Sequence, residues 1–151
     1  MEIREIMSRD VRTASPTQTL EDAARIMADH DVGALPVCDE GVGLIGMITD
    51  RDIALRGVAE RLDPKRTTVG TAMTDEVYFC FEDDAVEDVA EQLAELRIRR
   101  LPVLDDAKRL VGIVSLKDIT TAAAGAAPDV ARRALRGISR PGGPHDQTRN
   151  G

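Results

Sequence analysis

Leu35-Pro36-Val37, followed by Leu44-Ile45-Gly46-Met47-Ile48-Thr49-Asp50-Arg51-Asp52-Ile53, returns 66 residues later as Leu101-Pro102-Val103 followed by Leu110-Val111-Gly112-Ile113-Val114-Ser115-Leu116-Lys117-Asp118-Ile119. The same offset pairs Met7 with Met73, Val11 with Val77, Glu21-Asp22 with Glu87-Asp88 and Ala24 with Ala90, so two copies of one unit align without a gap. A unit of this size buries too small a core to stand comfortably alone. Two copies are therefore expected to pack face to face and leave clefts at their seam.

Within each copy the apolar period selects the elements. Leu20, Ala23, Ala24 and Met27 fall at i, i+3, i+4 and i+7, as do Val86, Val89, Ala90 and Leu93, which predicts an amphipathic helix with one buried stripe in each copy. Thr19 and Asp84 are the expected N-caps. Val11-Arg12-Thr13 and Val77-Tyr78-Phe79 read as short strands before those helices. After the helix, Ala34 to Cys38 and Leu44 to Thr49 flank a turn at Asp39-Glu40-Gly41-Val42-Gly43, and Arg100 to Leu104 and Leu110 to Ser115 flank Asp105-Asp106-Ala107-Lys108. Each pair is a predicted hairpin.

A second helix is expected after Thr49 to about Glu60, and its counterpart from Ser115 toward Ala127. The order is strand, helix, strand, strand, helix, an α/β (α+β) class with a small sheet and two helices per unit. The expected division is unit 1 over 1–61, a linker over 62–69 containing Asp63-Pro64, unit 2 over 70–127, and a tail over 128–151. In that tail Asp129 to Arg136 reads as one more short helix. From Ser139-Arg140-Pro141-Gly142-Gly143-Pro144 onward nothing apolar anchors the chain, and disorder is expected.

Composition excludes several function classes. A net charge of −7 argues against a nucleic acid duplex as partner, since binding DNA relies on clustered basic groups. With aromatic residues at 2%, the stacking platforms of single-strand binders are missing too. No run approaches the roughly 18 apolar residues of a membrane span. The acidic start Met1-Glu2-Ile3-Arg4-Glu5-Ile6 does not resemble a leader, so a cytoplasmic location is expected.

Cys38 aligns with Leu104 and Cys80 with Ala14, and neither has metal-ligand spacing; both read as small core hydrophobes. His30, at a helix end, and His145, in the tail, lack accompanying ligands, and no metal site is expected. No Ser-His-Asp or Cys-His arrangement and no phosphate-cradling glycine loop is discernible, so an enzyme is not expected.

Thr49-Asp50-Arg51-Asp52 and Ser115-Leu116-Lys117-Asp118 have a purely structural reading. A hydroxyl at an N-cap with a carboxylate three residues on is a capping box, and it starts helices in proteins that bind nothing.

The paired Leu-Pro-Val strands and Gly-x-x-Thr/Ser-x-x-Asp endings resemble a tandem pair of cystathionine beta-synthase (CBS) domains, a Bateman module, over Ile6 to about Ala124. His30-Asp31-Val32-Gly33-Ala34-Leu35-Pro36-Val37 with Thr49-Asp50-Arg51-Asp52-Ile53 is similar to bacterial CBS-pair proteins of the hypoxic-response type, a stress-response association. Arg99-Arg100-Leu101-Pro102-Val103 with the second ending also resembles the nucleotide-sensing gamma subunit of AMP-activated kinase. The resemblance implies two pseudo-twofold-related units whose clefts bind AMP, ADP or ATP, less often NAD or S-adenosylmethionine. No chemistry is performed on the ligand, and no cofactor is required.

By that resemblance Asp52 and Asp118, beside Thr49 and Ser115, would hold ribose hydroxyls, for which an ionised, acceptor-only carboxylate is suited. The same charge repels phosphates, which would go to Arg99 and Arg100, with Lys117 and Arg51 adding positive potential near the helix starts. Guanidinium forks match phosphate oxygens. The first copy has Gly33 and Ala34 instead, so the two sites should be unequal. Adenine would lie among aliphatic groups and backbone, with Thr13 and Phe79 on one side and Val32-Gly33 and Ile98-Arg99 on the other. The implied function is a homodimeric, non-catalytic sensor that modulates an effector protein which the sequence does not identify. A ligand-free dimerisation or interaction scaffold is the alternative. Ile53, Ala54, Leu55 and Val58 are apolar positions open to core or partner.

Overall fold

In the computed structural model the described residues are 1–124, Arg132 and Arg136; the tail helix and tail disorder expected from the sequence lie outside them, apart from those two arginines. The class is α/β. In chain order come a 3₁₀ turn at Ile3–Glu5, α1 (Leu20–His30), β1 (Ala34–Asp39), β2 (Gly43–Thr49), a turn α2 (Asp50–Asp52) that continues with π-type bonding over Ile53–Val58, α3 (Val69–Ala72), β3 (Cys80–Phe81), α4 (Val86–Leu96), β4 (Arg100–Leu104), β5 (Leu110–Ser115) and α5 (Leu116–Ala123). No helix among the described residues is long and apolar enough to cross a membrane.

The two compact units do not follow the contiguous division read from the repeat. Among the described residues, one comprises Arg12–Val77, the other Met1–Val11 with those from Tyr78 onward. In the latter, Ile3 N donates to Asp84 O at 3.0 Å, Arg4 N to Glu82 O at 2.8 Å and Val86 N to Met1 O at 3.0 Å. In the former the same three bonds recur as Val69 N to Gln18 O at 2.7 Å, Gly70 N to Pro16 O at 3.0 Å and Leu20 N to Thr67 O at 2.9 Å. The segment leading into each copy thus belongs to the unit built on the other copy. Ile3 and Val69, both fully buried, anchor these segments in their cores. The linker expected over 62–69 is accordingly a surface connection only as far as Arg66, with Thr67 and Thr68 half-buried and Val69 buried.

Both hairpins form with one register. Ala34 faces Thr49 and Val37 faces Gly46; Arg100 faces Ser115 and Val103 faces Gly112, and each copy slips at the next residue. The strands expected at 11–13 and 77–79 begin later. Pairing with β1 occurs at Ala14, opposite Val37, and pairing with β4 at Cys80, opposite Val103. Valine and aromatic residues raise strand propensity, but the small buried residues are the ones that fit beside the central strand. The second copy extends the pairing through Glu82 N to Leu104 O at 2.9 Å. Its counterpart position is Pro16, which has no N–H, so the first copy stops at a single bridge.

The helix faces follow the predicted stripes with one exception. Leu20, Ala23 and Met27 are buried, and so are Val86, Val89, Ala90 and Leu93, but Ala24 is exposed, and Ile26 packs partly buried against that core. Thr19 caps α1: its Oγ1 accepts from Asp22 N, and the Asp22 carboxylate accepts from Thr19 N, both at 3.1 Å. Asp84 is not the cap of α4. That position is Ala85, and Asp84 instead accepts Phe81 N at 2.8 Å to close the preceding turn. Asp31 and Arg97, at φ 51° and 56°, turn the chain in left-handed conformation out of α1 and α4 toward the following strands.

Cys80 is buried in its core, and burial, then the Asp84 charge, pushes its thiol up to about 12. Cys38, expected in the core, is only half-buried. The turn after β4 is clasped by Asp105, whose carboxylate accepts Arg109 N and Arg109 Nε, each at 2.8 Å. The Arg109 backbone bond first, then its side chain and charge, hold the Asp105 carboxyl below its ordinary value against an opposing burial effect. A depressed folded-state value contributes stability above the ordinary carboxylate range, and that stability is lost as pH falls through the folded value. Asp105→Asn is therefore expected to lower the urea midpoint at neutral pH and to lose less than wild type between pH 5 and pH 2. An unchanged acid limb would contradict this.

Candidate functional site

In the second copy, β4 and β5 bring the start of one strand to the start of α5. Arg100 lies directly opposite Ser115, so their side chains share a face of the pair, and Leu116 N donates to Arg99 O at 2.8 Å. Ser115 N and Oγ both donate to Asp118 Oδ2, at 2.8 and 2.9 Å, while Asp118 N donates back to Ser115 Oγ at 3.2 Å. The capping box is therefore real. It uses one carboxylate oxygen, and Asp118 Oδ1 has no partner among the described residues.

The cationic groups around it are equally uncommitted. The guanidinium groups of Arg99 and Arg100 and the Lys117 ammonium make no ion pair or side-chain hydrogen bond among the described residues. Arg99 and Lys117 are exposed, and Arg100 and Asp118 half-buried. Chemically, this corner offers an acceptor for hydroxyls next to donors for an anion.

The first copy repeats the backbone and changes the chemistry. Ala34 lies opposite Thr49, and Asp50 N donates to Gly33 O at 3.0 Å. Thr49 N donates to Asp52 Oδ2 and Asp52 N to Thr49 Oγ1, both at 3.0 Å. Here the carboxylate's other oxygen, Oδ1, sits 4.0 Å from Arg56 Nη1, and Asp52 is only 6% exposed. Arg56 in turn donates to the carbonyls of Ala72 and Met73, each at 3.2 Å. The position equivalent to Arg56 in the second copy is Ala122.

The remaining predicted residues scatter. Thr13 is exposed just before the Ala14 bridge, and Val32 is 38% exposed. Ile98, its counterpart, is 1% exposed and belongs to the core, which leaves its side chain no surface for a ligand. Phe79 is 39% exposed and meets Phe81 edge to face at 5.6 Å. A recess of about 390 Å³ lined by Ser15, Pro16, Thr17, Cys38, Asp39 and Glu40 contains none of them. Among the described residues no three His, Cys, Asp or Glu side chains are grouped as metal ligands.

Sequence reasoning missed Asp50 and Arg56. The signal was available in the alignment of the copies, where Asp50 stands against Leu116 and Arg56 against Ala122.

Comparison with known proteins agrees with this duplicated geometry. The family model described as CBS domain matches residues 3–57 and 69–125. Hypoxic response protein 1 of Mycobacterium tuberculosis is 40% identical over 116 residues, covering 77% of this chain and 80% of the relative. The CBS domain-containing protein YhcV of Bacillus subtilis is 44% identical over 117 residues, 78% of this chain and 81% of the relative. Among solved structures, Hypoxic Response Protein I with two coordinated zinc ions superposes with TM-score 0.73 at 37% identity, covering 80% of this chain and 98% of that one. The CBS domain pair of protein MJ0100 in complex with 5′-methylthioadenosine and S-adenosyl-L-methionine gives TM-score 0.71 at 34% identity, covering 83% and 97%. CBSX2 in complex with AMP gives 0.69 at 26% identity, covering 82% and 96%.

Proposed function

Because the chain belongs to the CBS domain family, we propose that this regulatory module binds an adenine nucleotide of the AMP, ADP or ATP class at its second copy and uses it to modulate a protein partner. The observation that carries the reading is the open Asp118 Oδ1 beside the uncommitted Arg99, Arg100 and Lys117. A carboxylate facing vicinal hydroxyls and guanidinium groups facing phosphate are the two halves of nucleotide recognition. AMP in CBSX2, and the two adenosine compounds in MJ0100, support the ligand class. The ligand is read and not transformed, so binding acts only through its differential affinity for two states of the module. The name of the mycobacterial relative supports a place in a stress response.

A homodimer forms part of the proposal. Leu55 and Val58, 49% and 72% exposed on the π-type turn, are the apolar side chains it would cover. The test is calorimetric titration with AMP, ADP, ATP, NAD and S-adenosylmethionine, with light scattering on the same samples. Heat with at least one nucleotide, and twice the monomer mass, is expected. Silence across the panel at millimolar ligand ends the nucleotide reading, and a monomer at micromolar protein ends the dimer.

The scaffold reading draws on the first copy, where the capping box and Arg56 occupy the carboxylate. It requires that Asp118→Ala cost only a cap, about 1 kcal/mol, with no ligand response to lose.

A further inference from the structure

The two copies place opposite charges on the same backbone corner. At Arg99, Arg100, Ser115, Leu116, Lys117 and Asp118 three cations meet one carboxylate, whereas Gly33, Ala34, Thr49, Asp50, Arg51 and Asp52 hold two carboxylates and one cation. The first-copy carboxylate at Asp50 is placed where it matters. Its Oδ2 lies 3.1 Å from where a Cβ on Gly33 would stand, so it covers the point from which the second copy projects Arg99. Its Oδ1 is held there by Arg51 N at 2.8 Å. Behind it, Asp52 is turned to Arg56 and has lost the open oxygen that Asp118 keeps.

We infer that Asp50 is a specificity determinant that excludes phosphorylated nucleotides from the first copy, so that each chain loads one nucleotide, at the second. The inference rests on the nucleotide reading above and deepens it. Two like charges within a few ångströms disfavour occupancy even with solvent screening, whereas Leu116 at the matching position imposes no such penalty. The first copy has Gly33 and Ala34 where the second has Arg99 and Arg100, and its one corner cation, Arg51, is outnumbered by Asp50 and Asp52.

Titration with AMP tests this by stoichiometry. Wild type is expected to bind one AMP per chain, and a photoreactive 8-azido-AMP should label only peptides from the second copy. The variant Gly33→Arg, Ala34→Arg, Asp50→Leu should bind two, whereas Gly33→Arg, Ala34→Arg with Asp50 kept should bind one, its new arginine pairing with the carboxylate. Asp50→Asn alone retains the acceptor for Arg51 N and removes the charge; it should admit a second AMP at least tenfold more weakly than the first. Two AMP per wild-type chain, label in the first copy, or one AMP in a folded triple variant together with no second equivalent in Asp50→Asn, would overturn the role of Asp50. No AMP bound by wild type in either assay would instead sink the nucleotide reading, and this inference with it.

Discussion

Gly112→Ala is expected to destabilise the protein by about 1–3 kcal/mol, the usual cost of forcing an extra carbon into a packed site. A Cβ at Gly112 would stand 2.7 Å from Met7 Sδ, 3.1 Å from Met7 Cγ and 2.9 Å from Ser8 O. The thioether can swing aside, but the carbonyl cannot. Ser8 is held against β5 by two backbone bonds, Ser8 N to Ile113 O at 2.9 Å and Ile113 N to Ser8 O at 3.0 Å. Relieving the clash means lifting the first residues of the chain off the second copy.

The first copy offers an internal replicate. A Cβ at Gly46 would meet Thr74 O at 2.7 Å and Met73 Sδ at 2.8 Å, with Met47 and Thr74 bonded in the same way. Gly41→Ala is the control, since its Cβ would find only Asp39 Oδ1 at an ordinary 3.6 Å in an exposed turn. Denaturant unfolding should show clear losses for Gly46→Ala and Gly112→Ala and a change within about 0.5 kcal/mol for Gly41→Ala. Hydrogen exchange at Met7 and Ser8 should accelerate in Gly112→Ala alone. Wild-type stability in both glycine variants would mean that these segments are not seated as described.

Removing Arg99 and Arg100 is expected to produce the largest functional loss. A hydrogen bond to a charged group contributes about 1.5–3 kcal/mol, so each arginine that reaches phosphate should weaken AMP binding by roughly 10- to 150-fold when replaced by alanine. Neither guanidinium has a bond among the described residues, so Arg99→Ala and Arg100→Ala should melt like wild type. Affinity for adenosine, which lacks the phosphate, should change little. Arg100→Lys should restore part of the loss, since it returns the charge without the fork. Wild-type AMP affinity in the double variant would remove the phosphate half of the proposed recognition.

Much of this was legible because it is local. The apolar period of α1 and α4, the hairpin turns, and the Thr19, Thr49 and Ser115 caps depend on residues within a few positions of one another. The repeat itself pointed to the charge difference between Gly33-Ala34 and Arg99-Arg100. Where the reading slipped, a distant partner decided. The strand expected at Val77 to Phe79 pairs instead at Cys80 and Phe81, because β4 selects the residue that fits beside Val103. Ile98, read as a ligand contact, is drawn into the core with Leu93 and Leu101.

The amino-acid order by itself determined a duplicated unit, its amphipathic helices and its hairpins, since each follows from spacing along the chain, while the carboxylates and guanidinium groups of the candidate site came from the family resemblance. Only the tertiary structure decided that Met1–Val11 belongs with the second copy and Thr67–Val77 with the first. It also decided that Asp118 keeps an oxygen open while Asp52 is engaged by Arg56. The first outcome depends on which distant backbone reaches a glycine, and contacts between residues far apart in sequence leave no periodic trace in it; the second is a pair four residues apart whose geometry the spacing allows but does not fix.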